Sequence, residues 1–130
     1  MTIFSKIIAG EIPAYKIAED ADFFAFLDIF PLREGHTLIV PKVVVDKFFD
    51  MSSADISKIL LFAQPIARAI ERAFPCARCG MAVIGLEVPH AHLHLVPIDG
   101  ADDLNFTRHK LKLSPAQLKA AQEKLVAQLG

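Results

Sequence analysis

Cysteine is scarce in this 130-residue chain. Cys76 and Cys79 are the two present, and they form a lone C-x-x-C without the second pair of ligands that a zinc ribbon requires. Reduced spectator thiols are the favoured reading, with a redox pair behind it. An excess of either charge is lacking too: 14 Lys and Arg face 15 Asp and Glu, a formal net charge of −1. No field covering the whole surface gathers phosphate backbones or anionic lipid, so nucleic-acid binding is disfavoured. Long apolar runs are missing. The charge-free stretch that starts at Ile59 is closed by Arg68, well short of the ~20 apolar residues that span a bilayer. The opening Met1-Thr2-Ile3-Phe4-Ser5-Lys6 has no basic stretch or apolar segment of a secretory signal. A soluble, cytoplasmic protein with no membrane partner is expected. No internal repeat, low-complexity tract or Gly/Ser linker divides the chain, so residues 1–130 are expected to form one domain.

What is present suits a folded core: 53% of the residues are apolar and the mean hydropathy is +0.39. Ile3 to Gly10 predicts a short helix ended by glycine. Ala14 to Glu19 and Phe23 to Ile29 read as a hairpin turning at Asp20-Ala21-Asp22, and His36 to Val40 as a third strand stopped by Pro41. Ser52 or Ser53 caps a helix whose apolar residues, from Ile56 to Phe74, recur every three or four positions. Pro65 inside that pattern predicts a kink or a break near Leu61 to Pro65. Gly80 to Leu86 reads as a buried fourth strand and Pro89 to Pro97 as a fifth. Ser114-Pro115 opens a terminal helix with Leu118, Ala121, Leu125 and Leu129 on one face. Strands that mostly neighbour one another predict an α+β fold: about five antiparallel strands, one long helix packed on the sheet, and short N-terminal and C-terminal helices.

The most informative stretch is His90-Ala91-His92-Leu93-His94-Leu95-Val96. Alternate residues of a strand face the same way, so three imidazoles would share an exposed face while Ala91, Leu93 and Leu95 pack under the helix. Surface histidines on a polar strand would explain one or two of them; three in register point to a site. Imidazole ligates metals, shuttles protons or attacks phosphorus through its neutral nitrogen. One straight strand cannot easily bring three histidines to one tetrahedral ion, so metal binding ranks second.

These residues resemble the signature of the histidine triad nucleotide-binding family, His-x-His-x-His with apolar residues between. Ile3 to Ala14 resembles that family's opening segment, and Phe26-Leu27-Asp28-Ile29 with Gly35-His36-Thr37-Leu38-Ile39-Val40-Pro41-Lys42 resembles its strand-loop-strand core. The likeness covers about residues 3 to 97, leaving a C-terminal helical extension at about 114–129. It implies a bacterial-type branch resembling nucleoside phosphoramidases, acting on purine nucleotides such as AMP conjugates, without metal or cofactor, and as a homodimer. His92 would be the nucleophile on the α-phosphorus, forming a nucleotidyl-histidine. His90 and His94 would donate to phosphoryl oxygens, and His36 would orient the triad. Asp28 would hold the ribose hydroxyls, with Ile3, Phe4, Phe26, Leu27 and Ile29 enclosing the base. A dinucleoside polyphosphate hydrolase, a non-catalytic nucleotide-binding adaptor and a metal-binding protein are the alternatives.

Departures from the family pattern are local. Gly85-Leu86-Glu87-Val88-Pro89 stands where relatives have Gly-Gln and a hydroxyl residue, so the side chains that would contact phosphate and leaving group are replaced. Glu87, and Val88 beside it, are the residues left at that position, with Glu87 a candidate replacement acid. Cys79 falls near the family's upstream Asn, and Val44 near a histidine. Weak activity or an unusual substrate is the implication. Arg108-His109-Lys110-Leu111-Lys112 is a local basic strip, which would attract an anionic group if it folded beside the triad.

Overall fold

The computed structural model describes residues 1–129. Thr2 caps helix α1 (Ile3–Ile8) through a capping box: its Oγ1 accepts from the Ser5 amide at 3.0 Å, and Ser5 Oγ accepts from the Thr2 amide at 2.8 Å. Gly10, at φ +81°, turns the chain away from the helix. Strands β1 (Lys16–Glu19) and β2 (Phe23–Leu27) form the expected hairpin. Its turn is closed by Asp20 Oδ1, which accepts from the amides of Asp22 and Phe23, each at 2.8 Å.

β3 (Thr37–Pro41) pairs antiparallel with β2, and α2 (Ser53–Ala73) crosses to β4 (Arg78–Ala82), which pairs antiparallel with β5 (Leu93–Ile98). β5 returns beside β3, so the sheet order is β1-β2-β3-β5-β4. The expected α+β class and five antiparallel strands are what the structure shows. One face of the sheet carries Phe23, Ala25, Leu27, Ile39, Leu93 and Leu95 against Ile59, Ala63, Ile66 and Ile70 of α2 and Leu118, Ala121 and Leu125 of α3 (Pro115–Ala127). The other face carries Phe24, Phe26, Leu38 and Val40 under Phe4 of α1. Burial of both faces makes β2 and β3 continuous apolar runs.

Three expectations need correction. The break given as one of two outcomes at Pro65 does not occur: α2 runs continuously through it. Leu61, whose carbonyl loses its helical partner there, is exposed, as is Pro65 itself, so the gap lies on the outer face of the helix. The fourth strand ends at Ala82, and Val83, Ile84 and Leu86 are exposed rather than buried. The apolar run misled because β4 is the outer strand of the sheet. The fifth strand starts only at Leu93, so His94 alone of the triad lies within it. The physical reason is Pro41. The last β3–β5 pair is Ile39 with Leu93, which puts Pro41 opposite Ala91. Pro41 has no N–H to continue the ladder, and the Ala91 amide instead donates to Val45 O at 2.6 Å.

Candidate active site

The segment released from the ladder still alternates, with Ala91 and Leu93 in the helix-side core and the three imidazoles on the α1 side. That side is not an exposed histidine face. His90 is fully buried, and His92 and His94 are each 7% exposed, beneath side chains that arrive from both ends of the chain. Phe4 places its ring edge-on to His92 at 5.0 Å, and Phe106 places its ring 4.6 Å from His94.

Burial fixes where the ring protons sit. His92 Nδ1 lies 2.8 Å from the His90 carbonyl, which can only accept, so Nδ1 carries a proton and in the neutral ring the lone pair is on Nε2. A nucleophilic imidazole needs that tautomer. His36 is fixed by its own loop. The Leu32 amide donates to His36 Nδ1 at 3.0 Å, so the proton lies on His36 Nε2, which donates to His94 Nδ1 at 2.9 Å. His94 therefore carries its proton on Nε2, a donor free of that chain. Gly35 allows this loop. It sits at φ +99°, and a Cβ there would come 2.6 Å from the Phe74 ring. Burial foremost, then the charges of Lys110 and His92, pushes His36 down to about 3. Burial, then His36, His92 and Lys110, does the same to His94. Both rings are neutral at pH 7.

His90 differs from its expected role. Its Nε2 donates to Pro41 O at 2.7 Å and its Nδ1 accepts from Thr2 Oγ1 at 2.7 Å, so no ring N–H is left for a phosphoryl oxygen. It ties the triad segment to β3 and α1, and it supplies the carbonyl that sets His92.

The potential metal ligands that converge among the described residues are Asp28, His36 and His94. The donor set does not suit an ion. His36 Nδ1 is already an acceptor, so metal on its Nε2 would demand an imidazolate, and His94 Nδ1 is taken by the His36 proton. The two cysteines are free thiols. Cys79 is pushed up to about 12 by burial, then Glu71 and Cys76, and Cys76 is raised in the same direction by burial first. Protonated thiols argue against a reactive redox pair.

The residues matched to nucleotide contacts divide into two groups. Asp28 follows β2, and its Oδ1 accepts from the Phe30 amide at 2.9 Å. Its Oδ2 lies 3.8 Å from His36 Nε2, turned towards the histidines. Burial raises its carboxyl, opposed by that amide bond and by Lys110. Phe4 and Phe26 pack together at 5.6 Å on the triad side, where Val88 packs against the same cluster. Ile3 and Ile29 are about half exposed. Leu27 is not brought to the site: it points into the helix-side core, because the strand sends its neighbours to opposite faces. Glu87 is exposed, and its charge bears on Asp28. Leu86 is 89% exposed, and Val44 is exposed as well. Thr2, the Leu32 amide and Phe106 are the contributors that sequence reasoning missed. A Thr-x-x-Ser capping pattern marks the first, but no local signal marks the other two.

A strand-edge triad with one free imidazole nitrogen, backed by a fourth histidine on the neighbouring strand's loop, defines a histidine triad fold, and comparison with known proteins agrees. The HIT domain model matches residues 9–101. This chain belongs to the HIT, or histidine triad, family. It is 30% identical over 129 residues to an adenosine 5'-monophosphoramidase of Schizosaccharomyces pombe, covering 98% of this chain and 97% of that one. Among solved structures, a HIT-like protein from Bartonella henselae superposes with a TM-score of 0.85 at 27% identity, covering 98% of this chain and 95% of the other. A zinc-bound histidine triad family protein from Mycobacterium smegmatis superposes with 0.82 at 30% identity, covering 98% and 91%.

Proposed function

We propose that the protein hydrolyses purine nucleoside phosphoramidates or related nucleotidyl conjugates through a nucleotidyl-histidine at His92. The observation that carries this reading is the His92 Nδ1 to His90 carbonyl bond, which makes Nε2 the nitrogen that bears the lone pair in the neutral ring. Nε2 forms a bond to the α-phosphorus as the P–N bond breaks, and the departing nitrogen keeps the electron pair and takes a proton from water. Water then attacks phosphorus and gives up a proton to solvent, and the Nε2–P pair returns to the ring, releasing the nucleoside monophosphate. His94 Nε2–H is the donor positioned for a phosphoryl oxygen, held in its tautomer by His36 and Leu32. Asp28 Oδ2 accepts from the ribose hydroxyls, and Ile3, Phe4, Phe26 and Ile29 form the apolar surroundings of the base. The phosphoramidase named in fission yeast supports the substrate class.

Incubation with adenosine 5'-phosphoramidate tests the reading. AMP release is expected, together with an adenylylated protein in acid-quenched intact mass, and both vanish in His92→Ala. Binding of AMP without any turnover would make the chain an adaptor instead. A homodimer joined along β4, one of the two outer strands, and the segment after it accompanies this reading, because Met81 on β4 and Val83, Ile84 and Leu86 beyond it are exposed. Sedimentation analysis of the wild type and of Ile84→Lys checks it, with dissociation expected in the variant. No described helix is long and apolar enough to cross a membrane.

A further inference from the structure

Pro31, Leu32, Gly35 and His36 are buried in a stretch that belongs to no strand, so their carbonyls need partners other than a ladder. His36 O accepts from the Asp28 amide at 3.0 Å, and Gly35 O from Thr37 Oγ1 at 2.9 Å. The other two are met by the segment 105–111, which lies beyond the matched family residues 9–101. The Leu111 amide donates to Pro31 O at 2.8 Å, and Arg108 Nη2 donates to Leu32 O at 2.8 Å. A trans peptide points its C=O and N–H in opposite directions, so the bond on Pro31 O aims the Leu32 N–H of the same peptide group at His36 Nδ1. Arg108 fixes the far side of Leu32. Its Nη1 pairs with Asp102 at 3.3 Å and Asp103 at 3.2 Å, and Asp103 pairs in turn with Arg33 of the loop at 2.9 Å. Asp103 thus clips the segment to the loop from both sides. Phe106 of the same segment sets its ring 4.6 Å from His94 and 6.1 Å from His36.

We propose that Arg108 is a positioning residue: it fastens the segment 105–111 to the Pro31–Leu32 peptide and thereby holds His94 in the tautomer that offers Nε2–H to a phosphoryl oxygen. The inference rests on nucleotidyl transfer to His92 and adds a residue outside the triad that governs it. The relay from His36 to His94 has a reversed form with the same number of protons. Once the Leu32 amide turns away, His36 can carry its proton on Nδ1, and His94 Nδ1–H then donates to His36 Nε2. His94 Nε2 is left with a lone pair facing the anionic oxygens, and repulsion replaces the hydrogen bond. His92 is spared, because its Nδ1 partner is the His90 carbonyl. A guanidinium suits the task, since it donates in two directions at once, here to a carbonyl and to carboxylates.

Arg108→Met keeps an unbranched side chain and removes its donors. With adenosine 5'-phosphoramidate as substrate, kcat should fall about tenfold, near the lower end for a hydrogen bond made by a charged group, while KM stays within about twofold. Arg108→Lys, which keeps a charged donor, should recover most of that loss. Proton–nitrogen correlation spectra of the histidine rings at neutral pH add a readout that lost stability alone would not move. In Arg108→Met the ring nitrogens of His94 and His36 should shift towards the reversed tautomer, with those of His92 unchanged. A wild-type kcat in Arg108→Met, or a lowered kcat with the His94 nitrogens unmoved, would overturn the proposal. If the wild type releases no AMP, the nucleotidyl-transfer reading falls by itself, and the ring nitrogens still decide whether Arg108 sets the tautomer of His94.

Discussion

Acidification should unfold this protein in a window set by its buried histidines. His36 and His94 are held near 3, chiefly by burial, whereas an unfolded histidine titrates near 6.5. Between these values the unfolded chain binds protons that the native state refuses, so stability is full above about pH 6.5 and is lost as pH falls. From pH 7 to pH 5 each ring costs about 2 kcal/mol, and the pair about 4 kcal/mol, a large share of the 5–15 kcal/mol typical of a domain. His90, lowered by burial against the pull of the Pro41 carbonyl, adds in the same direction. Asp28 opposes weakly, since a raised carboxyl favours the folded state on acidification. Asp103, held down to about 2 chiefly by the Asp99 amide, contributes only below about pH 5. Urea unfolding at 25 °C, repeated at pH 7, 6 and 5, should show a slope between pH 6 and 5 that approaches two protons taken up on unfolding. The His36→Asn variant should lower that slope by about one proton. A stability that stays flat across these values would mean that the rings accept protons inside the fold, and the tautomer argument for His36 and His94 would fall with it.

Three further predictions follow from single contacts. Thr2→Val strips the donor from buried His90 Nδ1 and the cap from α1, and should destabilise by about 1–3 kcal/mol in urea titrations. A loss under about 0.5 kcal/mol would show that neither bond matters. Gly35→Ala forces a Cβ into the Phe74 ring at positive φ, and should cost at least about 1–2 kcal/mol while lowering kcat through displacement of His36. Equal activity and equal Tm would contradict the steric reading. Glu87→Gln removes an exposed anion whose charge reaches Asp28, and should raise kcat/KM for an anionic nucleotide a fewfold at low salt, an effect that fades at high salt. A fall of tenfold or more would instead mark Glu87 as the proton donor to the leaving group.

Alternation was legible wherever the sheet is regular. The hairpin at Asp20, the capped helices and the His-x-His-x-His register all rest on near-neighbour chemistry, which a linear reading captures. The start of β5 was misplaced because Pro41, fifty residues upstream of Ala91, decides where the ladder stops, and such a pairing has no local trace. Leu27 was grouped with Phe26 through the family resemblance, although neighbouring strand residues face opposite sides. The role of His90 was misjudged for a related reason, since its two partners, Thr2 and the Pro41 carbonyl, come from distant elements. The basic strip was visible as composition, but only the bonds from Leu111 to Pro31 and from Arg108 to Leu32 show that it lies along the loop between Asp28 and His36.

The line of protons running from Leu32 through His36 to His94 starts at a peptide nitrogen. A main-chain amide points one way only and has no second tautomer, so it acts as a rectifier at the head of the line. Nineteen of the twenty amino acids at position 32 would keep that polarity, and proline alone would remove it. The direction in which this site hands out hydrogen is thus written into the polypeptide backbone and is largely insulated from drift in the side chain that happens to sit there.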